Sequence, residues 1–149
     1  MKSDISCRVS VVVNAPATEV WDALTKPELI KKYFFGTNTK TSWRVDSPIE
    51  FSGTWQGREY KDKGMVKKYE PHTTIQYTHW SPLSGLEDKP ENYMSVTYEV
   101  LERGANTTTV TIIQENIPNE KDKEHSEQNW RKVLDDLKQL LEKGVEAYA

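Results

Sequence analysis

The sequence predicts an α+β domain: an antiparallel sheet covered by one long helix. Three periodicities carry this expectation. Apolar residues alternate with a period of two across most of the stretch from Thr41 to Asn116, they recur at helical spacing from Trp130 to Leu141, and two short helical stripes lie between Pro16 and Phe34.

The chain opens with a strand over Ile5 to Val13, where Ile5, Cys7, Val9, Val11 and Val13 share one face. Asn14-Ala15-Pro16 stops it, and Pro16 sits where a helix can begin, with Val20, Trp21 and Leu24 as the apolar stripe. Thr25-Lys26-Pro27-Glu28 has the form of a capping box, with Leu24 and Leu29 at the staple positions. Leu29, Ile30, Tyr33 and Phe34 then make a second short stripe that Gly36 can end.

Period two follows. Trp43 alternates with Val45, and Ile49, Phe51, Gly53 and Trp55 share a face. So do Ile75, Tyr77 and His79, then Met94, Val96, Tyr98 and Val100, then Val110, Ile112 and Gln114. These read as half-buried antiparallel strands punctuated by Gly57, Gly64, Pro71 and Gly104-Ala105-Asn106. Val66 is expected to face inward, although Met65 and Tyr69 have the opposite parity. The connection Ser81 to Asn92 is long for a compact domain and reads either as a lid or as a rigid excursion. A final helix of about 25 residues, roughly 37 Å at the standard rise, is capped by Asn119 and carries Trp130, Val133, Leu134, Leu137, Leu140 and Leu141 on one stripe. Gly144 either ends it or permits close packing.

Composition narrows the function classes. Charged residues make up 29% of the 149, yet five Trp and seven Tyr supply enough large apolar area for a folded core. The net charge of −3 argues against a nucleic-acid partner. Cys7 is the only cysteine, so an intrachain disulfide and a multi-cysteine metal site are both excluded. With no secretory pattern and no apolar run near 20 residues, a single-domain cytoplasmic protein without membrane insertion is expected.

Several segments are similar in order and spacing to one family: NAPATEVWDALTKPELIKKYFF, FSGTW, KGMVKKYEP, IQYTHWSPLSG, PENYMSVTYEV, TTTVTIIQEN and NWRKVLDDLKQLLEKG. Across nearly the whole chain they resemble the START-like, or SRPBCC, superfamily, and within it the branch named for the activator of heat-shock protein 90 ATPase. The resemblance implies a helix-grip fold, in which an antiparallel sheet wraps a C-terminal helix around a cavity. Relatives of that fold include lipid carriers, hormone receptors, and polyketide cyclases and aromatases, so fold alone does not name a function.

Strand parity and the helix stripe nominate Trp43, Phe51, Trp55, Tyr77, His79, Met94, Tyr98 and Trp130 as cavity lining. Large rings with indole, phenol and imidazole groups suit a wall around a small organic molecule. Gln114 and Asn116 end an inward row and could hydrogen-bond a ligand. His79 is the best polar candidate, as a wall residue or as a base. The three histidines are not expected to converge, and no spacing supports a metal, a nucleophile elbow or a phosphate loop. Glu50 and Glu59 read as exposed. The expected function is binding of a hydrophobic or aromatic small molecule by a monomer, with no cofactor and no catalytic residue assigned. The alternatives are a cochaperone-like activator of a chaperone ATPase or a cyclase-like enzyme.

Overall fold

The computed structural model describes residues 3–148, except for the side chains of Trp55 and residues 144–148. Seven strands form one antiparallel sheet: β1 (Cys7–Val13), β2 (Asn38–Thr41), β3 (Pro48–Trp55), β4 (Arg58–Glu70), β5 (Thr74–His79), β6 (Met94–Gly104) and β7 (Thr107–Glu115), in the order β1-β7-β6-β5-β4-β3-β2. Consecutive strands β2 to β7 are neighbours, whereas β1 and β2 lie at opposite edges. The helices α1 (Ala17–Thr25) and α2 (Pro27–Tyr33) carry the chain from one edge to the other. The last helix, α3 (Glu120–Tyr148), is gripped by the curved sheet, so the fold is the helix-grip fold.

Alternation places Val9 and Val13 of β1, Ile75 and Tyr77 of β5, Val96, Tyr98 and Val100 of β6, and Val110 and Ile112 of β7 in one core with α3. Leu134 and Leu137 of α3 are almost wholly buried. Each such burial contributes roughly 1.5–3 kcal/mol before side-chain ordering is counted. Asn119 caps α3 by accepting a hydrogen bond from the Asp122 amide at 2.8 Å. Further along, Glu142 accepts from the Asn14 amide at 2.8 Å and Lys138 donates to the Val12 carbonyl at 2.9 Å, which ties α3 to the end of β1. Cys7 is buried, and burial, followed by the charge of Glu127, raises its thiol pKa; it is a core residue.

Several local expectations are corrected. Thr25 does not cap α2: it is the last residue of α1, its hydroxyl donates to the Trp21 carbonyl, and Lys26 precedes Pro27 at the helix start without a side-chain cap. Proline at the first helical position has no N–H to be satisfied, which weakens the need for a cap. Trp43 and Val45 are not in a strand. The strand is the earlier Asn38–Thr41, and the chain then turns, with Trp43 and Asp46 in left-handed conformations at φ 61° and 66°. Helix α3 passes through Gly144 without ending there.

Gly64 is likewise not a turn, because β4 runs through it. The first part of β4, up to Met65, pairs with β3, and the part from Val66 pairs with β5. Lys63 is also bridged to Trp80 just after β5, so β4 is flanked on both sides here, and the backbones approach so closely that a Cβ on Gly64 would lie 1.6 Å from the Thr78 carbonyl oxygen. A register shift between Val66 and Lys68 then resolves the conflict of parity, since Val66 and Tyr69 can both turn inward across a bulge.

Candidate functional site

Sheet and α3 diverge toward the start of the helix and leave a cavity of about 360 Å³. Its apolar wall is a continuous set of rings. Phe34, just after α2, stacks on Phe51 of β3 at 6.3 Å and meets Trp130 of α3 edge-on at 5.6 Å. Phe51 also contacts the Tyr77 ring at 5.3 Å and the His79 ring at 6.0 Å. Met94, Val96 and Val133 complete this surface. Phe35 and Leu83 are exposed large apolar residues that also line the cavity, and they mark its mouth.

The polar wall lies where β4 meets β5. Asp62 faces the same side as its cross-strand partner Phe51. Its Oδ2 lies 2.9 Å from His79 Nε2, with both side chains largely buried. The other carboxylate oxygen, Oδ1, is buried without a hydrogen-bond partner. Nearby, Thr37 and Tyr60 share a hydrogen bond of 2.5 Å; Gly53 makes room for it, because a Cβ there would meet the Tyr60 hydroxyl at 2.8 Å. Across the cavity α3 contributes His125, Ser126 and Asn129.

Of the residues nominated by parity, Phe51, Tyr77, His79, Met94, Gln114 and Trp130 line this one cavity. Tyr98 lies behind Tyr77, and their hydroxyls are joined at 2.8 Å. Burial, reinforced by Tyr98, holds the Tyr77 phenol well above its ordinary pKa, and burial raises that of Tyr98. Trp43 is elsewhere. Its indole donates to the Thr25 carbonyl at 2.9 Å and stacks on Tyr69, beside a separate void of only about 10 Å³. The Trp55 side chain lies outside the described residues. Gln114 is engaged within the protein: it accepts from Trp130 Nε1 at 2.7 Å and donates to Met94 Sδ at 2.9 Å. Asn116 instead donates to the Glu91 and Tyr93 carbonyls and accepts from the Ser3 amide.

Sequence reasoning missed Asp62, Tyr60 and the α3 polar face. The signal was present in part. Counting back by two from the inward Val66 reaches Gly64, Asp62 and Tyr60, and an aspartate at an inward position is unusual enough to notice. Stepping back along α3 from Trp130 and Val133 reaches Ser126 and Asn129 on the same face. His79 and His125 both line the cavity, whereas His72 lies 5.8 Å from the Trp21 ring. Sequence distance hid the first two, which come from β5 and α3.

The Ser81 to Asn92 connection is tethered. The Trp80 indole donates to the Leu86 carbonyl at 3.2 Å, and Asp88 binds Lys63 at 2.5 Å and the Tyr93 hydroxyl at 2.6 Å. The hydrogen bonds from Lys63 and then Tyr93 hold the Asp88 carboxyl below its ordinary pKa. Among the described residues, no group of three or more His, Cys, Asp or Glu could hold a metal ion, and no helix is long and apolar enough to cross a membrane.

Residues 14–142 match the family described as Activator of Hsp90 ATPase homolog 1-like protein. The chain belongs to this family. A Cytophaga hutchinsonii protein of known solution structure is 40% identical, with 98% of this chain and 99% of that one covered and a TM-score of 0.82. The Aha1 dimer from Colwellia psychrerythraea, 22% identical, has the same fold (TM-score 0.73; 94% and 98% covered). So does the di-domain ARO/CYC protein BexL of the BE-7585A biosynthetic pathway, 19% identical with a TM-score of 0.73, where 93% of this chain aligns with 46% of that one. No curated protein matches the chain. Family membership carries the START-like assignment, and the two distant structures add the fold alone.

Proposed function

We propose that this protein binds a hydrophobic or aromatic small molecule between the sheet and α3. The observation that carries the reading is the cavity itself, about 360 Å³ and walled by Phe34, Phe51, Tyr77, Met94 and Trp130. This volume lies within the range of small-molecule sites, and apolar walls with a few placed polar groups are the usual composition of such sites. Small molecules that copurify with the protein can be identified by native mass spectrometry and then titrated while ring resonances are followed. Binding predicts shifts at Tyr77 and Trp130. A broad panel of lipids and polycyclic aromatics that leaves both unmoved overturns the reading.

One observation favours a second reading, proton-transfer chemistry of the cyclase or aromatase kind. The carboxylate–imidazole pair Asp62–His79 has the orientation used to hold a general base. A turnover retained by His79→Ala would remove it. Chaperone activation rests on the family description alone, and an ATPase assay with the purified protein tests it.

A further inference from the structure

Building on the ligand-binding reading, we infer that the cavity selects a neutral aromatic hydroxyl compound over a carboxylate- or phosphate-headed one, with Asp62 and His79 as the specificity-determining pair. The charge inventory is the first support. Among the described lining residues Asp62 is the only acidic one, and there is no Lys or Arg. An anionic headgroup would therefore enter an apolar space beside a fixed carboxylate with no full cation to receive it.

Hydrogen-bond capacity points the same way. An ionised carboxylate only accepts, so its contact with His79 places a hydrogen on Nε2. Asp62 Oδ1 is buried and unpartnered. The polar wall thus holds one acceptor in want of a donor. Several lining donors are engaged within the protein: the Trp130 N–H by Gln114, one hydrogen of the Gln114 amide by Met94, and one of the two hydroxyl hydrogens of the Thr37–Tyr60 pair by the other oxygen. His125, Ser126 and Asn129 lie on the α3 side. They begin more than a turn into the helix, where the positive end of its dipole has largely faded.

A hydroxyl on a planar ring system answers both conditions. The ring body fits among Phe34, Phe51 and Trp130, while the O–H donates to Asp62 Oδ1. A carboxylate of the same shape has no proton to give and adds repulsion. An ether of the same shape keeps the apolar contacts and leaves the acceptor unsatisfied.

Three bicyclic probes of one shape separate these terms: 2-naphthol, 2-methoxynaphthalene and 2-naphthoate, titrated into the wild-type protein while Tyr77 and Trp130 ring resonances are followed. The naphthol is expected to bind about tenfold or more tightly than either comparator, the scale of one hydrogen bond to a buried charged acceptor. Equal or tighter binding of the ether or the carboxylate overturns the selectivity and leaves hydrophobic binding standing. Failure of all three to move either resonance overturns the selectivity for an aromatic hydroxyl, whereas hydrophobic binding falls only if the broad panel also leaves both unmoved. Asp62→Asn and His79→Gln, each checked for folding by its amide spectrum, are expected to narrow the naphthol–naphthoate gap about fivefold or more. An unchanged gap in whichever variant folds removes the pair from the selection.

Discussion

Trp130 Nε1 donates to Gln114 Oε1 at 2.7 Å, which pins the ring that closes the cavity from α3 to the end of β7. Both residues are buried, so neither group has water as a ready substitute. The bond explains why a glutamine ends the apolar row of Val110 and Ile112.

Gln114→Leu should therefore destabilise by about 1–3 kcal/mol, because it leaves a buried N–H unpaired while preserving apolar volume. Chemical denaturation measures the loss. Adding Trp130→Phe should recover part of it, since the unpaired donor is then gone. A double variant whose loss equals the sum of the single losses would show that the two residues do not act through this bond.

Gly64→Ala should be more disruptive than its size suggests. The obstructing atom is the Thr78 backbone carbonyl, 1.6 Å from the added carbon, so a side-chain rotation cannot relieve it. We expect a loss toward the upper end of the roughly 1–3 kcal/mol typical of overpacking, with the Asp62–His79 geometry disturbed as β4 and β5 separate. Gly104 meets nothing within 4 Å and has no positive φ, so Gly104→Ala serves as the control and should stay within about 0.5 kcal/mol. Equal stabilities for the two variants would contradict the close approach.

The buried tyrosines give the fold a dependence on alkaline pH. Burial raises the phenols of Tyr33, Tyr77 and Tyr98 above the ordinary value of 10.0, so the folded state holds their protons more tightly than the unfolded chain does. The stability they contribute is whole below that value and is lost as pH rises through it toward the folded-state values. Tyrosinate absorbance should show these three titrating late and together with unfolding, after the more exposed tyrosines. Tyr77→Phe should cost about 1–3 kcal/mol at neutral pH by leaving the Tyr98 hydroxyl unpartnered. Early, reversible titration of all seven tyrosines without unfolding would refute the buried assignment.

Much of the fold was legible because periodicity is a local property. The inward rows of β5, β6 and β7, the stripe of α3 and the Asn119 cap follow from spacing along one segment, and each is found where spacing puts it. Family resemblance added how the sheet and helix close on one another. The capping box at Thr25, the strand at Trp43 and the turn at Gly64 failed for one shared reason: each residue's local preference was overruled by a partner distant in the chain or by backbone geometry that its neighbours impose. The Trp43 indole reaches the end of α1, and Gly64 yields to the carbonyl of Thr78.

The sequence by itself thus determined the elements, their inward faces and a set of aromatic wall residues. Only the tertiary structure decided which of those residues share one cavity, that Gln114 is engaged by Trp130, and that Asp62 meets His79. Spacing reports which way a side chain points from its own strand. Whether two side chains from different elements come within hydrogen-bonding distance depends on register, bulge and sheet curvature, which arise only when the whole chain packs.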